Sequence, residues 1–275
     1  MKLSDFNYRL PQSAIAQKPV HPRDSSKLLV LDTATGRRRH AIFRDIEHIL
    51  QPGDLLVMND SKVIPARLQG IKTTGGRVEI LLVKKKTARI WTALLKNFSK
   101  KEIGKTILID KKNDFTATPL SQSDDGIWDV AFSEKGTNLS RYIEKHGETP
   151  TPPYISQRSS PSRYQTVYAK HAGSVAAPTA GLHFTKSLLA RLKKNRIDHA
   201  TVTLHVGPGT FQPIRVDELT HHRMHAEVAS VSTFAARIIN SAKKEGRRIV
   251  AVGTTSVRVL EGFSDDTGKI RAGSK

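Results

Sequence analysis

The segment from residue 163 to residue 185 constrains the fold of this chain more than any other. It holds no acidic side chain, and it mixes small residues with hydroxyls, two histidines and two tyrosines. Its Ser-Val-Ala-Ala run at 174–177 predicts a short buried strand, which Pro178 ends because proline fixes φ and cannot continue a ladder. Thr185 is suited to cap a helix over 186–194, and a strand, a small-residue turn and a helix N-terminus typically hold a ligand against backbone N–H groups. The alternative is that the small residues only let the strand and the helix pack closely.

Net charge and cysteine content narrow the classes of function. The chain of 275 residues carries 45 lysines and arginines against 25 acidic residues, a formal net charge of +20 at pH 7. This excess favours a polyanionic partner such as a nucleic acid, although a basic protein with no nucleic-acid role is the alternative. The absence of cysteine excludes disulfides, thiol nucleophiles, iron–sulfur clusters and cysteine-based zinc sites. Because no apolar run is long enough to cross a bilayer and no export leader opens the chain, we expect a cytoplasmic protein with no membrane partner.

The spacing of the β-type segments indicates two domains. Short runs of strand-forming residues, separated by turn residues, recur at intervals of about ten residues and predict a small barrel or sandwich. We therefore expect an α/β (α+β) fold in which a large α/β domain is built from residues 1–60 plus 150–275. An inserted small β-barrel domain is expected at 61–149, and residues 27–32 are expected to form a strand buried on both faces. The β-type runs of the insert are 77–83, 89–95, 105–109, 115–120 and 127–132.

Two further turns carry residue types that suit a binding site. Residues 200–206 alternate in character, so that two threonines and His205 share one strand face before a Gly-Pro-Gly-Thr turn. A strand at 249–253 runs into a hydroxyl-rich turn, and a helix from residue 257 would seat a carboxylate or a phosphate at its N-terminus. The spacing of a nearby group of possible metal ligands fits no standard zinc helix, so no metal is predicted. That group is His222, His225 and Glu227.

Long motifs in these segments resemble those of a known family. Tyr164-Gln-Thr-Val-Tyr-Ala169 and the run from Gly173 to Thr185 are almost identical to the hallmark of the S-adenosylmethionine:tRNA ribosyltransferase-isomerase family. The segments 54–68, 152–155 and 252–258 resemble further family motifs, and the resemblance covers residues 5–261. It implies transfer and isomerisation of the ribosyl moiety of S-adenosylmethionine onto 7-aminomethyl-7-deazaguanine at the tRNA wobble position, giving epoxyqueuosine and releasing adenine and methionine. S-adenosylmethionine is then a substrate, and no separate cofactor is implied.

The implied reaction and the side-chain chemistry together indicate candidate site residues. The sulfonium of S-adenosylmethionine acidifies the adjacent ribose carbon, and histidine or glutamate suits the role of the base that acts there. Hydroxyls and backbone N–H groups would stabilise developing charge. The candidate catalytic residues are His183, His205, His225 and Glu227. The candidate substrate-binding residues are Tyr164, Gln165, Tyr168, Thr179, Gly181, Gly207, Gly209, Thr210, Gly253, Thr254, Thr255 and Arg258.

The C-terminal end differs from the pattern of the family. Family members continue beyond the Thr-Thr-Ser-Val-Arg helix into further strand and helix segments, whereas this sequence stops at Lys275 after a polar stretch. We therefore expect a C-terminally shortened member that acts as a monomer on tRNA. A catalytically inactive, tRNA-binding remnant of the family is the alternative. A methyltransferase that uses S-adenosylmethionine is a third hypothesis, which the lack of a Gly-x-Gly strand-turn near the start disfavours.

Overall fold

A five-stranded sheet and a closed β-barrel organise the chain into a mixed α/β fold, as the sequence predicts. The structure is a computed structural model that describes residues 1–124, 126–152, 154–155, 160–211, 214, 216–222 and 226–275. In chain order, its strands are β1 (Lys27–Leu31), β2 (Arg38–Ile42), β3 (Leu55–Asn59), β4 (Ser61–Val63), β5 (Arg67–Lys72), β6 (Arg77–Lys85), β7 (Ile90–Lys96), β8 (Ile107–Asp110), β9 (Phe115–Gln122), β10 (Trp128–Phe132), β11 (His171–Ser174), β12 (Asp198–His205), β13 (Val228–Val231), β14 (Ile249–Val252) and β15 (Gly273–Ser274). Its α-helices are α1 (Ile46–Ile49), α2 (Gly136–His146), α3 (Lys186–Lys194), α4 (Thr233–Lys244) and α5 (Thr254–Phe263).

Parallel strands form the centre of the five-stranded sheet. The strand order is β14-β3-β12-β13-β15; β3 runs parallel to β14 and β12, whereas β13 and β15 pair antiparallel at one edge. All residues of β3 are buried because helices cover both faces of the sheet. Leu55 and Val57 join a core with residues of α4 and α5, and Leu56 and Met58 pack with Leu188 of α3. This arrangement brings the carboxyl ends of β14, β3 and β12 to one edge of the sheet.

A side-chain cap fixes the start of the helix that follows the 163–185 segment. Thr185 Oγ1 accepts the Leu188 N–H of α3 at 3.1 Å, so the predicted cap is confirmed. The Thr185 hydroxyl also donates to the buried carboxylate of Asp24 at 2.9 Å. The start of α3 is therefore tied to the N-terminal part of the chain as well as to its own first turn.

Six antiparallel strands close the barrel. Their order around it is β10-β7-β6-β5-β8-β9; β6 to β10 match the runs predicted from spacing, and β5 is the strand that the spacing missed. Trp128 is fully buried in the barrel core, and Leu139 and Ile143 of α2 pack into the same core. A Cβ at Gly70 would lie 2.4 Å from Ile107 Cγ2, so glycine allows the side chains between β5 and β8 to pack this closely.

The chain enters and leaves the barrel at neighbouring points. The Arg67 N–H donates to the Glu148 carbonyl at 3.0 Å, and the Glu148 N–H donates to the Arg67 carbonyl at 2.8 Å. Gly147 lies so close to this junction that a Cβ would come within 2.0 Å of the Pro65 carbonyl oxygen. Adjacent entry and exit points are what an inserted domain needs. We retain 61–149 as the proposed insert, with the two flanking segments as the proposed large domain.

Two predicted strands differ from the structure. The prediction that residues 27–32 are buried on both faces is wrong, because β1 pairs with β2 in a two-stranded sheet and its alternate residues face solvent, Leu29 being 55% exposed. The strand predicted at 174–177 lies earlier in the chain, as β11, where it pairs in parallel with β4. Residues 175–177 are buried all the same. Within the described residues, none of the helices is both long and apolar enough to cross a membrane.

Candidate active site

The carboxyl ends of the parallel strands bring separate turns of the chain together. Gly253 follows β14, Asp60 follows β3, and Val206 follows β12. In open α/β sheets ligands bind at this edge, since the connecting loops and the helix N-termini converge there. The candidate active site is therefore built outward from this edge.

A cleft of about 810 Å³ opens beside these turns, and we call it the threonine cleft. This volume lies in the range of sites that enclose a small organic ligand. Its described wall contains hydroxyls, aromatic rings and small apolar groups, but no charged side chain. The predicted residues that line it are Tyr164, Thr179, Thr210, Gly253, Thr254 and Thr255. The others are Pro152, Tyr154, Ala176, Ala177, Pro178, Ala180 and Val206.

The N-terminus of α5 forms part of this wall. The helix begins at Thr254, so Thr254 and Thr255 lie in its first turn, and the prediction that the helix starts only at residue 257 is wrong. Gly253 has φ +84°, and a Cβ there would lie 3.2 Å from Ala180 Cβ; glycine therefore permits this close strand-to-helix turn. The Thr255 hydroxyl is buried and finds no hydrogen-bond partner among the described residues. Since first-turn N–H groups lack partners within a helix, this end offers donors to an anionic ligand group.

Glu227 connects two walls of the threonine cleft. Its carboxylate accepts the Gly207 N–H at 2.8 Å, and its other oxygen is bound by the Arg258 guanidinium. Gly207 precedes the short 3-10 helix that carries Gly209 and Thr210, whereas Arg258 lies on α5. Because both oxygens of this carboxylate are engaged and its side chain is 10% exposed, Glu227 is better placed to hold the cleft walls together than to accept a proton.

His183 lies on the far side of one wall of the threonine cleft. The 3-10 helix Thr179–His183 has Thr179 in the threonine cleft at one end, while His183 at the other end lines a second cleft of about 780 Å³. His183 Nδ1 lies 2.8 Å from Ser26 Oγ, and its ring packs on Phe43 with 5.1 Å between ring centroids. Burial lowers the pKa of His183. The structure thus separates His183 from the predicted residues of the threonine cleft.

His205 and Asp60 form a polar cluster at the ends of β12 and β3. The buried Asp60 carboxylate accepts the Thr203 hydroxyl at 2.7 Å and lies 3.8 Å from His171 Nε2. The ring of His205 packs against Gly173, where a Cβ would lie 2.9 Å from Nδ1, and this Nδ1 is buried with no partner in the described part of the chain. Burial lowers the pKa of His205, and the charge of His171 lowers it further, whereas the charge of Asp60 opposes both effects.

Asp60 is a candidate that reasoning from the sequence missed. The polar corner at 59–62 reads as a turn between strands, and its composition gives no further indication. The position of Asp60 indicates a site, because an acidic residue directly after a continuous apolar strand falls at the ligand-binding edge of a parallel sheet. Its buried carboxylate, surrounded by a hydroxyl and a histidine, makes it a residue that can orient or charge a neighbouring imidazole.

Other predicted residues of the 163–185 segment hold the shape of the segment itself. The Gln165 side chain donates to the Val63 carbonyl at 2.7 Å and accepts the Val63 N–H at 3.0 Å. The Tyr168 hydroxyl is buried without a described partner, and a Cβ at Gly181 would lie 1.9 Å from its oxygen. Burial raises the pKa of Tyr168, and the charge of Asp60 raises it further. Gln165, Tyr168 and Gly181 therefore lie behind the wall of the threonine cleft and do not line it.

His225 lies outside the described residues, and the structure gives it no position. In the part of the chain that is described, no group of three or more His, Cys, Asp or Glu side chains is arranged to hold a metal ion. The expectation of a chain that works without a metal or a separate cofactor stays a prediction.

Comparison with known proteins places these observations in a family. A family model described as queuosine biosynthesis protein matches residues 3–274. The S-adenosylmethionine:tRNA ribosyltransferase-isomerase of Thermotoga maritima is 49% identical over 261 residues, which cover 95% of this chain and 76% of that protein. The enzyme of the same name from Carboxydothermus hydrogenoformans is 47% identical over 266 residues, covering 96% of this chain and 78% of that protein. A crystal structure of S-adenosylmethionine tRNA ribosyltransferase from Thermotoga maritima aligns with a TM-score of 0.44 and 36% identity, over 94% of this chain and 72% of that one.

Proposed function

The chain belongs to the S-adenosylmethionine:tRNA ribosyltransferase-isomerase family of queuosine biosynthesis, a family of transferase enzymes, and we propose that it carries out the reaction of that family. In the proposed reaction, the ribosyl moiety of S-adenosylmethionine is transferred to 7-aminomethyl-7-deazaguanine at the wobble position of tRNA and isomerised, giving epoxyqueuosine. Adenine and methionine are the leaving products. The observation that carries the proposal is the threonine cleft, because predicted residues from three separate chain segments line one cavity.

S-adenosylmethionine is proposed to bind in the threonine cleft. The hydroxyls of Thr179 and Thr254 supply hydrogen bonds of the kind that a nucleoside needs, and the first turn of α5 supplies donors for the methionine carboxylate. No carboxylate belongs to the described lining of this cleft, so a sulfonium bound there would have no anionic partner in that wall. An unpaired sulfonium charge keeps the neighbouring ribose carbon acidic, since a nearby carboxylate would stabilise the cation and weaken that effect.

His205 is the proposed base among the candidate catalytic residues. The carboxylate of Glu227 is occupied by Gly207 and Arg258, and His183 lines a different cleft. His205 is not one of the lining residues of the threonine cleft, but it directly precedes Val206, which is one of them. Its pKa is lowered chiefly by burial, so the imidazole is neutral at pH 7 and able to accept a proton. Asp60 is proposed to orient this group within the cluster at the end of β3.

The same proposal assigns the setting in which the enzyme works. Its macromolecular partner is tRNA carrying the 7-aminomethyl-7-deazaguanine base, which a formal net charge of +20 supports because it favours a polyanion. We propose that the chain acts in the cytoplasm, where its tRNA substrate is found, as a monomer and without a separate cofactor.

The direct test measures adenine and methionine released from S-adenosylmethionine by the purified chain and tRNA bearing 7-aminomethyl-7-deazaguanine. Release of both together with a modified tRNA is expected. If a cooperatively folded chain binds tRNA but releases neither product, the chain is a catalytically inactive, tRNA-binding remnant of the family and the proposal fails.

A matched pair of substitutions tests where the donor substrate binds. Thr254→Val removes a hydroxyl from the threonine cleft, so KM for S-adenosylmethionine should rise by about tenfold, the value of one hydrogen bond. Thr233→Val makes the same change at the exposed first residue of α4 and should leave KM unchanged. Equal kinetics for the two variants would contradict binding at the threonine cleft.

A further inference from the structure

The second cleft, which His183 lines, has a strongly positive wall, and we call it the basic cleft. Its described lining includes no acidic side chain, although four cationic residues belong to it. These residues come from two distant segments of the chain, which the fold brings together around one opening. They are Lys18, Arg23, Lys27 and Arg163.

Neutral carbonyl groups hold the two arginines of this cleft in place. The Arg23 guanidinium donates to the carbonyls of Gln165 and Leu182 and to the Ser162 carbonyl at 2.7 Å. The Arg163 guanidinium donates to the Val20 carbonyl at 2.5 Å. Since carbonyls carry no net charge, these contacts fix the position of the arginines and leave their positive charges uncompensated.

The two arginines are also close enough to repel each other. Burial lowers the pKa of Arg23, and the positive charge of Arg163 lowers it further. The nearest acidic residue in sequence, Asp24, is buried and accepts the Thr185 hydroxyl at 2.9 Å. No ion pair within the described residues neutralises either arginine. Two like charges held side by side cost free energy in the unliganded protein, and an anion placed between them would remove that cost.

The two lysines add exposed charges at the mouth of the same cleft. Lys18 and Lys27 are exposed, and neither has an ion-pair partner among the described residues. Mobile ammonium groups of this kind bind phosphates as point charges without fixed geometry. Half-buried, oriented arginines beside exposed, mobile lysines match the needs of a chain of phosphates better than those of one small anion.

The basic cleft lies directly behind a wall of the threonine cleft. The 3-10 helix Thr179–His183 contributes Thr179 and Ala180 to the threonine cleft, and Leu182 and His183 to the basic cleft. With a rise of about 2 Å per residue, such a helix spans roughly 8 Å. A polyanionic strand in the basic cleft would therefore pass within a short distance of a ligand in the threonine cleft.

We propose that the basic cleft binds the phosphodiester backbone of an RNA strand, with Arg23 and Arg163 holding one phosphate and Lys18 and Lys27 contacting its neighbours. This inference rests on the proposed function, because it assigns to this cleft the backbone of the tRNA whose base reacts in the threonine cleft. Contacts of this kind position the strand and carry no sequence information.

The test uses the full chain with Lys18→Gln and Lys27→Gln combined, and an unmodified tRNA transcript as the probe. Two lost phosphate contacts should reduce the slope of log Kd against log salt concentration by about 1.4–1.8, which corresponds to roughly 25–60-fold weaker binding at 0.1 M salt. Because both lysines are exposed, replacing them should leave the folded structure and its Tm unchanged. The matched control, Lys111→Gln with Lys112→Gln, removes the same charge from the exposed turn between β8 and β9 and should keep the parent slope.

The outcomes separate this inference from the proposed function. Equal slopes for the two double variants would overturn the inference, and so would a loss of affinity for S-adenosylmethionine instead of for tRNA. A chain that releases no adenine, yet binds tRNA through Lys18 and Lys27, would refute the proposed function and support the inference. If the chain turns over normally and keeps its tRNA affinity after Lys18 and Lys27 are replaced, the proposed function is supported and the inference is refuted.

Discussion

Replacement of Glu227 distinguishes a residue that holds the cleft from one that takes part in the chemistry. Sequence reasoning makes Glu227 a candidate base, whereas the structure shows both of its carboxylate oxygens engaged, one by the Gly207 N–H and one by Arg258. Glu227→Gln keeps an oxygen that accepts the Gly207 N–H and removes the negative charge. Glu227→Ala removes both contacts. The two variants therefore separate the effect of the charge from that of the hydrogen bond.

The magnitudes follow from the exposure of each partner. Glu227→Ala leaves the Gly207 N–H without its acceptor, which costs about 1–3 kcal/mol. Arg258 is 41% exposed, so water solvates it and the loss of its ion pair adds only about 0.2–1 kcal/mol. Glu227→Ala should thus lower the free energy of unfolding by roughly 1–4 kcal/mol. Each kcal/mol lost should lower the Tm by about 2–4 °C. Glu227→Gln should cost about 0.2–1 kcal/mol.

Steady-state kinetics beside thermal unfolding provides the assay. If Glu227 holds the cleft walls, Glu227→Gln should raise KM for S-adenosylmethionine and leave kcat nearly unchanged. Glu47→Gln is the matched control, because Glu47 pairs with Arg191 at 2.8 Å with side chains 20% and 43% exposed, away from the cleft. A fall in kcat of about 10²–10⁴, the contribution of a general base, with unchanged Tm and KM would refute the reasoning and make Glu227 the base.

Three further predictions concern the base, the acid stability and the packing behind the cleft. If neutral His205 is the base, kcat/KM should rise with pH through its lowered pKa, so the acidic limb of the pH–rate profile should lie below 6.5, the ordinary pKa of histidine. His205→Gln should abolish that limb and reduce kcat by about 10²–10⁴-fold. Burial raises the pKa of Asp54, but hydrogen bonds from Arg248 and a backbone N–H, with the charge of Arg248, lower it overall. The ionised Asp54 carboxylate therefore stabilises the folded protein above its unfolded pKa of 3.8, and this stabilisation is lost as the pH falls through the lower pKa of the folded state. Asp54→Asn should lower the free energy of unfolding in urea by about 1–3 kcal/mol at pH 7 and flatten its dependence on acid pH. Gly181→Ala would bring a Cβ within 1.9 Å of the Tyr168 hydroxyl and should destabilise the folded protein by about 1–3 kcal/mol. Adding Tyr168→Phe to this variant should restore much of the lost Tm. An unchanged Tm in the single and the double variant would contradict this packing.

The turns of the candidate site were predictable because their chemistry is local. Proline, glycine and hydroxyl residues specify a strand, a turn and a helix start within a few positions, and Thr179, Gly253 and Thr254 accordingly line one cleft. The barrel was predictable for a similar reason, since short antiparallel strands leave a regular spacing of turn residues. Both inferences depend on neighbours along the chain.

What the sequence left open depends on partners far apart in the chain. The apolar run of β1 predicts burial, yet its exposure is decided by pairing with β2 alone. The role of Glu227 depends on Gly207 and on Arg258, neither of which lies near it in sequence. The position of Asp60 after an apolar strand indicates a site, but its partners at that edge follow only from the parallel pairing of β3 between β14 and β12. Such pairings carry no local pattern, so a single sequence does not reveal them.

The separation of Thr179 from His183 shows why one continuous motif does not specify one site. Both belong to the 3-10 helix Thr179–His183, which rises about 2 Å per residue, so its two ends lie roughly 8 Å apart. Gly181 in its middle is buried, packed so tightly on Tyr168 and Thr166 that no side chain fits. The helix is therefore held from behind while its two ends line the threonine cleft and the basic cleft. Because one rigid turn forms a wall of both clefts, a displacement at Gly181 must change both at once, whereas substitutions at Thr254 or at Lys18 act on one cleft alone.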